Sequence, residues 1–460
     1  MPLLIRNGEI VNADRRFQAD ILCDGETITK IGPNLTAPAD AEVIDATGKY
    51  VFPGFIDPHV HIHLPFMGTL AKDTYVTASR AALVGGTTTL IEMVCPARGD
   101  DPLEAYEMWK ANAAGKSACD YTFHMGITRF DGETENMVRR IVADGTASLK
   151  IFLAYKGAFG IDDAELYQTL DLAKRLGVIV TAHCENAEIV SRLQQRLLSE
   201  GKTGPEWHEP SRPVTVEAEG VHHLATFAAL TGAHTYVVHT SCIEALAEAQ
   251  AAQARGLKMW VETVAPYLVL DSSYAELPDF EGAKYVMSPP LRDKRHQDVI
   301  WDAIRSGLVS TVATDHAPFD FHGQKEMGRG DFTKIPNGIP SVEHRVHLLY
   351  THGVARGRLD LHRFVDTAST KAAEIFGLYP RKGTIAVGSD ADLVVFDPAY
   401  RGQITAAGQE MNVDYSAFEG WPIEGRAETV TVRGHVQVRN GRFCGTTDHG
   451  QMLRRAPTHG

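Results

Sequence analysis

Paired cysteines are missing from this 460-residue sequence. Its six cysteines, Cys23, Cys95, Cys119, Cys184, Cys242 and Cys444, are widely spaced and form no CxxC pair. A disulfide framework is therefore not expected; reduced, mostly buried thiols are. Long apolar runs are missing as well. None approaches the roughly 18 residues that a membrane helix needs. The opening "MPLLIRNGEIV" has no basic stretch ahead of an apolar one, so no secretory signal is expected and the cytoplasm is the expected location. Clusters of positive charge are absent. The formal net charge is −13 and the basic residues are scattered, which argues against nucleic acid or an anionic membrane as partner. No GxGxxG or GxxxxGK[ST] follows the first apolar strand of the central region, which disfavours a nucleotide-binding open sheet.

What remains is an ordinary globular composition, 44% hydrophobic and 22% charged. The length allows one large domain or two moderate ones. Residues 1–52 read as short strands with turns, with Asn-Gly at Asn7-Gly8 as a hairpin signal and a second tight turn at Asp24-Gly25. Residues 376–445 have the same character. The two ends are thus expected to build one small β-sandwich domain. Residues 446–460 form a tail, either free or an interface arm. Between these ends, 53–375 alternates. Strand-like runs recur at "GFIDPHVHI", "TTTLIEM", "YTFHMGI", "SLKIFLAY", "VIVTAH", "TYVVHT", "KMWVETV" and "LVSTVATD". Most are separated by stretches of helical period, such as "DDAELYQTLDLAKRLG". Strands alternating with helices in this number predict an α/β architecture, a (β/α)8 TIM barrel.

In such a barrel the chemistry sits where strands end. His59 and His61 end the first run, His183 the fifth, His239 the sixth and Asp315 the eighth; Lys150 lies inside the fourth. Imidazole and carboxylate are ligands for zinc or a similar divalent ion. Residues i and i+2 of a strand share a face, so His59 and His61 can grip one ion. His63 shares that parity, but Pro65 stops a central strand, so His63 is expected on a loop or rim and not on metal. Single histidines at strand ends are commonly hydrogen-bonded residues of the core, and His124 and His234 are read that way. Lys150 has no lone pair to offer as an ammonium. Flanked by Ile151, Phe152 and Leu153, it is disfavoured in its charged form, and a neutral amine can take up carbon dioxide as a carbamate. Composition alone leaves a lysine that snorkels to the strand end as the alternative.

Together, "PGFIDPHVHI", "SLKIFLAYKG", "VIVTAHCEN", "YVVHTS", "MSPPLRDK", "ATDHAPF" and "IPNGIPSVEHR" resemble the cyclic-amidohydrolase branch of the amidohydrolase superfamily, the branch of D-hydantoinases and dihydropyrimidinases. The resemblance covers nearly the whole chain. It implies hydrolysis of the cyclic amide of 5-substituted hydantoins or dihydropyrimidines, giving N-carbamoyl amino acids, at two divalent ions, usually zinc. It implies that His59, His61 and Asp315 hold one ion, that His183 and His239 hold the other, and that Lys150, as N6-carboxylysine, bridges them. It implies attack by a metal-bridging hydroxide with Asp315 as general base and then acid, and Tyr155 as donor to the oxyanion. Ser288 and Asn337 match positions that hold the imide ring, mainly through backbone. Leu64, Phe66, Phe152 and Phe159 fall at the family's gating positions and are candidates for an apolar specificity pocket. "GPEWHEPSRP", 204–213, resembles a family loop without assigned chemistry. The family implies a homotetramer or homodimer and a small cyclic ureide or imide as substrate.

Allantoinase and dihydroorotase share this barrel. Dihydroorotase-like proteins carry HxHxR to hold a substrate carboxylate, and here that last position is His63, followed by Leu64 and Pro65, which argues against a charged substrate. A metal-free scaffold homologue is the non-enzyme alternative; the six filled ligand positions argue against it.

Overall fold

The structure is a computed structural model, and it describes residues 2–460. Eight parallel strands follow one another around the centre: β1 (Phe55–Val60), β2 (Thr87–Val94), β3 (Asp120–Gly126), β4 (Ser148–Phe152), β5 (Ile179–His183), β6 (Thr235–Val237), β7 (Met259–Val264) and β8 (Thr311–Ala313). Each is paired to the next in sequence order. The circle closes beyond β8, where Asp315 N–H donates to His59 O at 3.0 Å and His61 N–H to His316 O at 2.8 Å. All eight runs expected from the sequence are strands here. All their residues but the half-buried Trp260 are buried, because side chains fill the barrel inside and helices cover it outside.

The helices form for local reasons. Asp163–Leu176 opens on a capping box between Asp162 and Glu165 and ends at Gly177, whose φ of 66° is left-handed. Its Leu166, Leu170 and Ala173 turn inward at helical spacing.

A second, nine-stranded sheet is built from both ends of the chain. Tyr50–Pro53 pairs antiparallel with the start of Leu393–Gln403, joining the N-terminal strands to the C-terminal ones. This sheet has its own core, including Ile5, Ile21, Val51 and Leu393. One local expectation is corrected. Asn7-Gly8 is not a hairpin: Leu3–Val11 runs through it as one strand, and the pairing with Arg16–Asp24 shifts register between Ile5 and Gly8. Asn7 takes φ 60° and its N–H donates to Asp20 Oδ1 at 2.9 Å, so the pair makes a bulge. A side chain at Gly8 would collide with Val51, its Cβ falling 2.5 Å from Cγ2. The turn at Asp24-Gly25 is a true hairpin, between Arg16–Asp24 and Thr27–Gly32.

The two bodies are tied by buried charge. Lys382 Nζ lies 2.6 Å from Asp120, the first residue of β3, 2.7 Å from Asp392 and 3.0 Å from Asp390. Arg433 pairs with Asp120 as well. The three carboxylates lie close enough to bind a cation, but the lysine ammonium already fills that place. Removing one partner of such a group costs about 3–5 kcal/mol.

The C-terminal tail is neither free nor an outward arm in this chain. It packs along the strand starts, with Tyr121 N–H donating to Gln451 O at 3.0 Å and Leu453 N–H to Tyr121 O at 2.7 Å. Arg455 is buried there and donates to Thr122 Oγ1 at 3.1 Å and Ser148 Oγ at 2.9 Å. The six cysteines are free; five are buried and Cys444 is exposed.

Candidate active site

The strand ends bring the expected groups to one buried place. His59 Nε2 and His61 Nε2 lie 3.1 and 3.2 Å from the same oxygen of Asp315. The His59 ring is 5.3 Å from that of His239, and His239 is 4.6 Å from His183. His61, Lys150, His183, His239 and Asp315 line one inner cavity of about 40 Å³. Asp315 and His239 each stand two residues past their strands, with φ of 52° and 40°. Left-handed backbone at a residue with a side chain costs on the order of 1–3 kcal/mol and persists where surrounding contacts fix it.

Those contacts are buried carboxylates. His59 Nδ1 donates to Glu262 Oε1 at 2.7 Å, and the same oxygen takes the His239 N–H at 3.0 Å. Glu262 Oε2 accepts from Tyr236 at 2.7 Å. His183 Nε2 lies 2.6 Å from Glu185 Oε2, which also pairs with Arg212 at 2.5 Å. Asp57 accepts from Thr314 Oγ1 at 2.6 Å, stitching β1 to the segment that carries Asp315. For His59 and His183 the carboxylate fixes one ring nitrogen and leaves the other to face the site, the usual support for a metal-binding imidazole.

Electrostatics suit cation binding. Burial pushes His61 down to about 4 and lowers His183 and, further, His239. Their rings are therefore neutral and carry lone pairs. Burial raises the Asp315 carboxyl, but the imidazoles of His59, His61 and His239 outweigh that and hold it well below the usual carboxylate range. Burial also lowers the Lys150 amine, against the opposing pull of Asp315 and Glu262. His59 Nε2, His61 Nδ1, His239 Nδ1 and Lys150 Nζ are buried without a hydrogen-bond partner among the described residues. Orphaned buried imidazole nitrogens can be satisfied by a divalent ion, whereas the Lys150 ammonium cannot be a ligand as it stands.

Tyr155 follows β4 with φ 59°, its ring 5.2 Å from His183 and 5.4 Å from the Arg212 guanidinium. Burial raises its phenol, so it stays a donor at neutral pH. Asn337 Nδ2 donates to Ser288 Oγ at 2.9 Å. Leu64, Phe66, Phe152 and Phe159 all line the inner cavity. Phe66 stacks on Phe159 at 5.9 Å and meets Tyr155 edge-on at 5.5 Å. These three rings also line an outer cavity of about 670 Å³, so an aromatic cluster divides the two spaces.

His63 turns away. It sits in left-handed backbone at φ 56°, packs 6.1 Å from the Tyr75 ring, and lines neither cavity. His124 is a core histidine, with Nδ1 2.6 Å from Ser148 Oγ and Nε2 3.0 Å from Pro58 O. His234 is half-buried against His459.

Several groups at the site were not read from the sequence. Glu262 and Asp57 did leave a signal, a carboxylate inside an apolar strand run. His208 and Arg212 come from the 204–213 loop, to which no chemistry was assigned. Both line the outer cavity, and His208 Nε2 is 2.9 Å from Met287 O. Their loop has no period to mark them.

Comparison with known proteins agrees with this geometry. A sequence profile described as "Amidohydrolase family" matches residues 50–436. A D-hydantoinase of Geobacillus stearothermophilus is 47% identical, covering 99% of this chain and 97% of its own. Among solved structures, a D-hydantoinase (dihydropyrimidinase) from Thermus sp. is 65% identical with a TM-score of 0.98, covering 99% of this chain and 100% of that one. A dihydropyrimidinase from Brevibacillus agri is 45% identical with a TM-score of 0.98, covering 99% of each chain.

Proposed function

The chain belongs to the amidohydrolase family, and from that premise we propose that it is a cyclic amidase. It hydrolyses the ring amide of 5-substituted hydantoins or dihydropyrimidines to N-carbamoyl amino acids. One observation carries the reading: three imidazoles, one carboxylate and one unpaired lysine line the inner cavity beside the Tyr155 phenol, and a fourth imidazole, His59, lies 3.1 Å from that carboxylate.

The family is metal-dependent, and the donors here suit two divalent ions, zinc by preference. His59, His61 and Asp315 would hold one, and His183 and His239 the other. Bound ions supply a water of lowered pKa and polarise the ring carbonyl. Lys150 would serve both as N6-carboxylysine. Its neutral amine adds to carbon dioxide and releases a proton, turning a cation without lone pairs into a carboxylate with two oxygens. The low-lying amine pKa favours that step.

Asp315 takes a proton from the attacking water and returns it to the leaving ring nitrogen. Its suppressed pKa keeps it ionised for the first half of that task. Tyr155 donates to the developing oxyanion; one such donor is worth about 10²–10³ in turnover. Ser288 and Asn337 hold the –CO–NH–CO– edge through backbone groups. The exocyclic substituent lies against Leu64, Phe66, Phe152 and Phe159, where an aromatic or alkyl group is matched by apolar surface. The same resemblance extends the proposal to a homotetramer or homodimer in the cytoplasm; no helix among the described residues is long and apolar enough to cross a membrane.

The test is ring opening by the metal-loaded protein, read as loss of ring absorbance. Dihydrouracil is compared with the two hands of a 5-phenyl-substituted hydantoin. Opening of the bulky hydantoin with preference for one hand is expected. Silence on both rings from protein that carries two ions per chain overturns the proposal.

A further inference from the structure

Lys325 is among the largest fully buried side chains of the protein, and no carboxylate pairs with it among the described residues. Its Nζ donates instead to three backbone carbonyls: Pro336 O at 2.7 Å, Gly338 O at 2.7 Å and Val286 O at 2.9 Å. Pro336 and Gly338 flank Asn337, and Val286 lies two residues before Ser288. A fourth bond joins the same two segments, Gly338 N–H to Val286 O at 2.9 Å. One buried ammonium thus stands behind both segments that face the inner cavity through Ser288 and Asn337.

The chemistry of that contact is specific. Burial alone pushes the amine well below its ordinary pKa. Yet a neutral amine has only two hydrogens, and three carbonyl acceptors at these distances need three N–H donors. The ammonium is therefore held by backbone dipoles in place of a counter-charge. Placing a bare cation there is costly unless each of its protons is bonded, so the lysine and the loop geometry depend on each other.

The consequence follows from the planar trans peptide, in which C=O and N–H point in opposite directions. With Pro336 C=O drawn to Lys325, the N–H of Asn337 is directed away from the ammonium. That N–H takes part in no backbone hydrogen bond among the described residues, and Asn337 lines the inner cavity. We propose that Lys325 is a positioning residue that clamps the 286–288 and 336–338 segments and sets which side of the Pro336–Asn337 peptide meets the substrate ring. It touches neither substrate nor metal. Its effect falls on recognition of the –CO–NH–CO– edge and not on the bond-breaking step. This inference rests on the cyclic-amidase reading and on the roles given there to Ser288 and Asn337.

The experiment compares wild type with Lys325→Gln, which keeps two N–H donors, and Lys325→Met, which keeps none. Metal content, melting temperature, KM and kcat are measured with the hydantoin. Glutarimide, a ring that carries the same imide edge, serves as a binding probe. The expected result is unchanged metal content, KM and the glutarimide Kd raised about tenfold or more in Lys325→Met and less in Lys325→Gln, and kcat changed much less than KM. A lower melting temperature with unchanged KM and Kd makes Lys325 a structural residue only and overturns the proposal. So does a loss of metal, or a fall confined to kcat. If neither variant folds, a crystal structure of wild type with glutarimide decides. The Asn337 N–H within hydrogen-bond distance of an imide oxygen upholds the proposal, and the Pro336 carbonyl facing the ring overturns it. Failure of the wild-type enzyme to open or bind any imide ring sinks the cyclic-amidase reading itself, whatever the variants do.

Discussion

Glu262 aims two histidines at once: its Oε1 takes the Nδ1 proton of His59 at 2.7 Å and the backbone N–H of His239 at 3.0 Å. These two residues are expected on different metal ions. A single buried carboxylate therefore fixes the ring tautomer of one and the left-handed backbone of the other. Glu262→Gln keeps the volume but removes the charge and half of the acceptor capacity. Metal affinity is expected to fall about 10- to 100-fold. Competition with a chelator at fixed pH measures it, and an unchanged affinity contradicts the orienting role.

Lys150→Ala removes the group expected to carry the carbamate. Most activity should disappear, together with tight binding of the second ion. Added acetate or propionate should restore part of the rate by supplying the missing carboxylate. Full activity in the variant would remove the carbamate from the mechanism.

His63 belongs to the three-histidine run but faces the Tyr75 ring, 6.1 Å away, and lines neither cavity. His63→Ala should retain the wild-type number of ions per chain. Elemental analysis of the purified protein is sufficient. The loss of one ion would make His63 a ligand.

Glu343 offers a test of pH-dependent stability away from the metal ligands. Burial pushes its carboxyl up to about 8, although its Oε2 accepts the Glu410 N–H at 2.7 Å. The folded chain therefore holds a proton that the unfolded chain, at the ordinary value of 4.5, releases. Stability from this group is fully present below pH 4.5 and is lost as pH rises through about 8. Glu343→Gln stays neutral throughout. Its unfolding free energy, read from urea titrations, should gain on the wild type as pH rises from 4.5 through about 8, by on the order of a few kcal/mol at most. A difference that does not vary with pH would show that Glu343 does not titrate in this window.

Much of this protein is legible before the chain folds. Periodicity is a local property, so the eight strand runs and the helices between them were legible from spacing alone. So was the grouping of His59, His61, His183, His239 and Asp315, because strand ends in a barrel share a rim. Pro65 predicts that His63 leaves the strand, and His63 lies in left-handed backbone and lines neither cavity. Lys150 stood out because a lysine in an apolar strand needs a reason.

The rest depends on contacts that exist only in the folded chain. Asn7-Gly8 has the composition of a hairpin, yet buried Ile5 and Ile10 on either side keep one strand running and leave a bulge. Glu262 carries a local signal, but its partner His59 lies 203 residues away, and barrel closure alone brings them together. The left-handed backbone at His239 and Asp315 is imposed by contacts across the rim, against the preference of each residue. The tail shows no period, and its place was set by buried acceptors on the strands beneath Arg455 and Leu453. In every case the outcome depends on burial, which no short stretch of sequence contains, and at Glu262 and the tail the deciding interaction joins groups far apart in the chain.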